Sequence, residues 1–394
     1  MSNREVVVVA AKRTAIGTYG GSLKGKKVGE LGGIAVKAAM EQSGLTAGDI
    51  GHCVIGSVTH SDTKAPYVSR TSALNGGLNI ETPALTVNRL CGSGLQAIIT
   101  GAQQILLGDC DSVVAGGAEN MTDLPYWAPA ARWGMRMGDG AFVDPLVNTL
   151  TCPVNDYHMG VTTENLNEQR NISREDQDAH AAESHRRAAA ATEAGYFKEQ
   201  IVPIELKSRK GVTIFDFDEH VKGDTTVEAL AKMRPAFKKD GSVTAGNASG
   251  INDAAAAVVL TERSVAEAKG LKVMARMVGY ATAGVDPSIM GIGPVPAITQ
   301  LLEKTGVAKA DIDLWEVNEA FAGQALAVCR ELDLPMDKVN PNGSGISLGH
   351  PVGATGAVIT VKAMYELERT NGRYAVISMC IGGGQGIAAL FERA

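Results

Sequence analysis

Ala84-Leu85-Thr86-Val87-Asn88-Arg89-Leu90-Cys91-Gly92-Ser93-Gly94-Leu95-Gln96-Ala97-Ile98-Ile99 passes from strand to turn to helix within sixteen residues. The apolar, β-branched run 84–87 predicts a buried strand, and 95–99 opens a helical stretch that continues to 107. Between them, Gly92-Ser93-Gly94 lets the backbone turn sharply and leaves room for a second molecule to approach. A cysteine held at the start of a helix faces unpaired N–H groups and the positive end of the helix dipole. A nearby histidine would lower its pKa further, and the thiolate is the nucleophilic form. Cys91 is therefore the first candidate for chemistry, whereas Cys53, Cys110 and Cys329 are expected to be buried and inert.

Outward from this stretch, the strand–helix alternation repeats. Residues 5–10, 53–58 and 112–115 predict further strands and 31–44 a helix, which is an α/β pattern. A second series spans 272–280, 298–305, 314–317, 320–331, 358–369 and 375–379. Val87-Asn88 stands before Gly92-Ser93-Gly94 as Val339-Asn340 stands before Gly343-Ser344-Gly345, hinting at an internal duplication. Residues 340–356 hold too many glycines for a helix and too few polar groups for a solvated linker, and His350 lies among them in Gly349-His350-Pro351. Cys380 closes the strand-like 374–379, and Gly382-Gly383-Gly384 behind it leave amides free at a turn, as an oxyanion site requires. Asn318-Glu319-Ala320-Phe321 and Ser249-Gly250-Ile251-Asn252-Asp253 each precede a run that predicts a helix, so capping is the simplest role for both.

Bulk properties narrow the class. The 394 residues carry 45% hydrophobic and 20% charged side chains, the balance of a globular protein with two or three domains' worth of core. A net charge of -6 gives no reason to expect nucleic-acid binding. The opening Met1-Ser2-Asn3-Arg4-Glu5 does not predict a signal peptide, and no apolar run is expected to span a membrane. Six cysteines without a CxxC pair point to a reducing cytoplasm, and seven scattered histidines without HxxxH or HExxH spacing predict no metal site. His180 and His185 are expected on the polar face of a helix over 176–194, with 211–228 as loop. The segment 121–137, carrying Tyr126, Trp127, Trp133, Met135 and Met137, is too apolar for a free loop and predicts a subunit contact.

Together, Asn88-Arg89-Leu90-Cys91-Gly92-Ser93-Gly94, Ser249-Gly250-Ile251-Asn252-Asp253, Asn318-Glu319-Ala320-Phe321, Gly349-His350-Pro351 and Cys380-Ile381-Gly382-Gly383-Gly384 resemble the thiolase family, and within it the bacterial biosynthetic β-ketothiolases. The resemblance runs from Arg13-Thr14-Ala15-Ile16-Gly17 to the C-terminus. It implies a five-layer αβαβα core built from two duplicated halves. The first, 1–120, would be completed by about 251–271; the second would span 272–394, with 121–250 inserted as a lid over coenzyme A and an oligomer contact. It implies catalysis by Cys91, His350, Cys380 and Asn318, with an oxyanion on the amides of Cys91 and Gly382. His158, Met159, Ser249 and Phe321 would line the pantetheine channel, and Lys222 would approach the nucleotide. Acetyl-CoA, longer acyl-CoA and free CoA would be substrates rather than resident cofactors, and the assembly a homotetramer. Where many thiolases have Asn-Gly-Gly-Ala-Ile-Ala, this chain has Asn342-Gly343-Ser344-Gly345-Ile346-Ser347, similar to a branch that also takes acyl groups longer than acetyl. Two other readings stay open: a β-ketoacyl synthase-like condensing enzyme, and a catalytically silent acyl-CoA-binding protein of the same fold.

Overall fold

The computed structural model describes residues 4–209 and 211–394. The strands along the main path of its large sheet are β1 (Val6–Thr14), β2 (His52–Gly56), β3 (Ala84–Val87), β4 (Ser112–Asn120), β5 (Asn252–Glu262), β6 (Ala275–Gly284), β7 (Leu314–Val317), β8 (Tyr374–Ile381) and β9 (Gln385–Arg393). They line up as β7-β8-β9-β6-β1-β5-β4-β2-β3. The principal helices are α1 (Val28–Ser43), α2 (Val68–Asn75), α3 (Ser93–Leu107), α4 (Met159–Arg170), α5 (Arg174–Glu193), α6 (Pro294–Thr305), α7 (Ala322–Glu331), α8 (Gly345–Leu348) and α9 (Thr355–Thr370).

The sheet falls into two halves of one design. In the first, β1 and β4 each pair antiparallel with β5, and β4, β2 and β3 follow in parallel. In the second, β6 and β8 flank β9 antiparallel, β7 runs parallel to β8, and Val339 bridges Trp315 of β7 in parallel. Val87 and Val339 therefore hold equivalent places at the outer parallel edge, as the shared Val-Asn pairs predicted. Only Val7↔Arg276 and Val8↔Ala275 join the halves edge to edge.

Between the half-sheets lie α3 and α9, while α1 and α2 cover the first half and α6 the second, giving five layers. The middle helices meet almost backbone to backbone. A Cβ at Gly94 would lie 2.7 Å from the Ala357 amide nitrogen, and one at Gly356 2.3 Å from that of Leu95. Packed between the half-sheets, α3 is apolar except for a partly exposed stripe of Gln96, Thr100, Gln103 and Gln104. Residues 90–107 consequently do reach the length and hydropathy of a membrane span, contrary to the sequence expectation; they form a core helix.

Four local expectations are corrected. The alanine run 254–257 lies within strand β5, so Ser249-Gly250-Ile251-Asn252-Asp253 leads into a strand and caps no helix. Every residue of β5 is buried, with α1 on one face and α9 on the other, and alanine lets both come close. Residues 211–228 are not all loop: Gly211–Phe215 pairs with Ile204–Ser208 as a hairpin, and a short helix, Val227–Ala231, begins at their end. Cys110 is only half-buried. His180 and His185 do not decorate a solvated face: His180 Nε2 lies 3.1 Å from Glu319, and His185 Nδ1 accepts the Lys222 amide at 3.2 Å.

Candidate active site

Cys91 sits in the turn between β3 and α3, and its neighbours fix that turn. Leu90 adopts a left-handed φ of 45°, held by its amide on Asn88 Oδ1 at 2.9 Å and its carbonyl on the Ser93 hydroxyl at 2.6 Å. The Ser93 hydroxyl in turn accepts the Arg89 amide at 2.9 Å. The backbone amides of Gly382 and of Cys91 itself favour the thiolate form of the sulfur, so the two groups expected to hold an oxyanion both lie beside it. Burial nevertheless pushes the thiol up to about 11, and the Glu119 carboxylate adds to this. The helix-start setting, expected to lower the pKa, is outweighed by desolvation. Cys91 rests as a thiol and needs a base.

His350 supplies a candidate base from the other half of the chain. Its backbone amide donates to Asn252 Oδ1 at 2.9 Å, while Asn252 Nδ2 donates to the Gly17 carbonyl at 3.0 Å, tying the histidine loop to the first half-sheet. The ring Nδ1 lies 2.6 Å from Thr355 Oγ1, whose own hydrogen goes to the Pro351 carbonyl at 2.9 Å. Thr355 can then only accept, so Nδ1 carries the ring proton and Nε2 keeps a lone pair. Nε2 has no protein partner. Burial lowers the imidazole to about 4, which keeps it neutral at physiological pH.

Cys380 is the penultimate residue of β8, fully buried and close enough to Cys91 for their charges to interact; burial raises its pKa well above that of a free thiol. Asn318 is not a helix cap, because α7 starts at Ala322 with Phe321 at its N-cap. Its backbone amide donates to Ser378, two residues before Cys380, and neither side-chain amide atom has a protein partner.

A cavity of about 520 Å³ brings Cys91, His350 and Gly382 together with His158, Met159, Lys222, Ser249 and Phe321. Asn318 and Cys380 are buried next to its wall through Ala320 and Cys91 rather than lining it. His158 caps α4 through Nδ1 to the Gly160 amide at 3.0 Å and stacks on Phe237 at 4.5 Å, and Phe237 meets Phe321 edge-on at 6.0 Å. Met159 packs against Gly382, where a Cβ would lie 2.7 Å from its methyl carbon. Ser249 is placed by its amide on the Ala320 carbonyl at 3.0 Å. Phe237, Met290 and His220 also line the cavity and were missed from sequence, since each is a single side chain without a local motif. So was Glu119, buried where it accepts the amides of Val58, Thr59 and Gly353 and the Thr59 hydroxyl. That carboxylate clamps the loop after His350 to the loop after β2.

The chain belongs to the thiolase family: the N-terminal thiolase domain matches residues 6–264 and the C-terminal thiolase domain residues 271–393. It is 59% identical over 391 residues to β-ketothiolase BktB of Cupriavidus necator, covering 99% of both chains. Its fold superposes with a TM-score of 0.97 on the acetyl-CoA acetyltransferase of Bacillus anthracis, at 47% identity over 99% of each chain. It superposes with 0.96 on human mitochondrial 3-ketoacyl-CoA thiolase in complex with CoA, at 46% identity over 99% of this chain and 98% of that one.

Proposed function

We propose that the protein is a β-ketothiolase that transfers acyl groups between CoA thioesters by way of an acyl-Cys91 intermediate, in a reducing cytoplasm. The observation carrying this reading is that a protonated thiol, two inward amides and a neutral histidine with a free lone pair converge at one apolar cavity, with a second thiol buried behind its wall. Cys91 transfers its proton to His350 Nε2, and the thiolate attacks the thioester carbonyl of an acyl-CoA. The tetrahedral oxyanion forms against the amides of Cys91 and Gly382. The carbon–sulfur bond to CoA then breaks and leaves the acyl group on Cys91.

Proton balance divides the remaining labour. The second half-reaction needs Nε2–H as a donor to the enolate oxygen of acetyl-CoA, together with a water held by Asn318, so His350 keeps the proton it took. The departing CoA sulfur is protonated by Cys380, which becomes a thiolate and removes the α-proton of acetyl-CoA. The carbanion attacks acyl-Cys91, a carbon–carbon bond forms, and the Cys91 thiolate leaves and recovers its proton from His350. Run backwards, the steps cleave a 3-ketoacyl-CoA. His158, Met159, Phe321 and Ser249 surround the pantetheine arm, and Lys222 meets the nucleotide end. A β-ketoacyl synthase would have no use for Cys380, and a silent binding protein none for a base and a nucleophile lining the same cavity.

Mass spectrometry separates the half-reactions. Cys380→Ser incubated with acetyl-CoA should still carry an acetyl group on Cys91, with water protonating the departing CoA in place of Cys380, yet form no acetoacetyl-CoA, whereas Cys91→Ser should carry none and lose about three orders of magnitude in turnover. Absence of an adduct on the folded parent and on Cys380→Ser would reject the acyl-enzyme.

A further inference from the structure

The run 343–347, where this chain departs from the common pattern, packs directly on Asn318 and Glu319. A Cβ built at Gly345 would lie 2.6 Å from the Glu319 carbonyl oxygen and 2.8 Å from Asn318 Oδ1. Neither contact is tolerable, and the first is to backbone, so an alanine there forces the 318–319 segment to move. The segment is also drawn toward α8 by polar contacts. Glu319 accepts the Ser184 hydroxyl at 2.6 Å and Asn340 Nδ2 at 3.1 Å, and the Ser184 hydroxyl lies 2.8 Å from that of Ser347. Glu319, Ser184, Asn340 and Ser347 are all enclosed in the core, so the contacts fix position rather than merely solvate charge.

On its opposite flank the same segment continues into Ala320 and Phe321, which form cavity wall, whereas Gly345 does not reach the cavity. Displacement away from α8 would therefore move Asn318 and, through the continuing chain, this wall. We propose that Gly345 is a positioning and specificity-determining residue. By admitting the 318–319 segment closer to α8 than alanine allows, it sets the place of Asn318 in the condensation step and leaves room beside Ala320 and Phe321 for acyl groups longer than acetyl. The inference rests on the acyl-transfer reading above, and deepens it.

Gly345→Ala is the direct test, with acetyl-CoA, butanoyl-CoA and hexanoyl-CoA as acyl donors and acetyl-CoA as the second substrate. Acetylation of Cys91 should stay within about twofold of the parent, while condensation falls about tenfold for acetyl and a further tenfold for hexanoyl, because a displacement of about 1 Å is costly in a positioned site. A loss of the same size for every acyl group and for acylation would mark a purely structural glycine and overturn the proposal, as would an unchanged hexanoyl-to-acetyl ratio. Should the single variant fail to fold, the triple variant Ser344→Gly, Gly345→Ala, Ser347→Ala carries the run found in many thiolases and is judged by the same ratio. Failure of the parent to form acyl-Cys91 would instead reject the acyl-transfer reading, and is visible without any variant.

Discussion

Cys91, the nucleophile of the proposed reaction, is held in its protonated form. Two amides stabilise the thiolate, but burial and the Glu119 carboxylate oppose it more strongly, and the neutral His350 offers no positive charge to pair with. A group whose pKa is raised to about 11 has a thiolate fraction that grows about tenfold for each unit of pH until that value is approached. Carboxamidomethylation of resting Cys91, followed by mass spectrometry after short iodoacetamide pulses, should accelerate in that way from pH 7 toward pH 10. A rate already flat at pH 7 would reveal a resting thiolate–imidazolium pair and contradict the neutral site described here. Thiol storage limits adventitious alkylation and oxidation, since both attack the thiolate. Reaction then depends on proton transfer to Nε2, whose lone pair Thr355 secures from five residues away.

Among the elements, α3 and α9 decide whether Cys91 and His350 can meet, because one group precedes each helix. Their separation is set where Gly94 faces Ala357 and Gly356 faces Leu95. Gly356→Ala places a methyl group against the Leu95 backbone nitrogen and should destabilise the fold by about 1–3 kcal/mol. Thermal unfolding should register a lower Tm, and the surviving folded protein should acylate Cys91 more slowly; an unchanged Tm with full acylation would show that the helices can part at no cost. These elements were legible because β-branched strands and glycine turns carry strong local signals, as at 84–94 and 374–384. The alanine run 254–257 was not, since alanine favours helix and only a sandwich between α1 and α9 makes it a strand. The hairpin at 211–215 escaped notice because its residues are mostly exposed and polar alternation there is weak. In the site, Cys91, His350 and Cys380 stood out through their glycines, while Phe237, His220 and Thr355 acquire meaning only from partners brought in from elsewhere in the chain.

At the scale of the whole molecule, the single chain leaves Tyr126, Trp127, Trp133, Met135 and Met137 exposed, Trp133 at 84%. Such a patch predicts burial against another copy, and a homotetramer assembled as a pair of dimers would cover it. Trp127→Glu should yield dimers that still acylate Cys91, and light scattering would expose the error if the variant stayed tetrameric or the parent were monomeric. The duplicated architecture has one more implication. Two copies of a single motif, brought face to face about an axis, can present only like groups at their meeting point: thiol against thiol, or imidazole against imidazole. A neutral thiol gives up its proton only to a stronger base than a second neutral thiol. The helix of one half therefore follows a cysteine and its counterpart a histidine, so catalysis here depends on the halves matching in backbone while differing in the few side chains that meet at the axis, a broken symmetry on an intact frame.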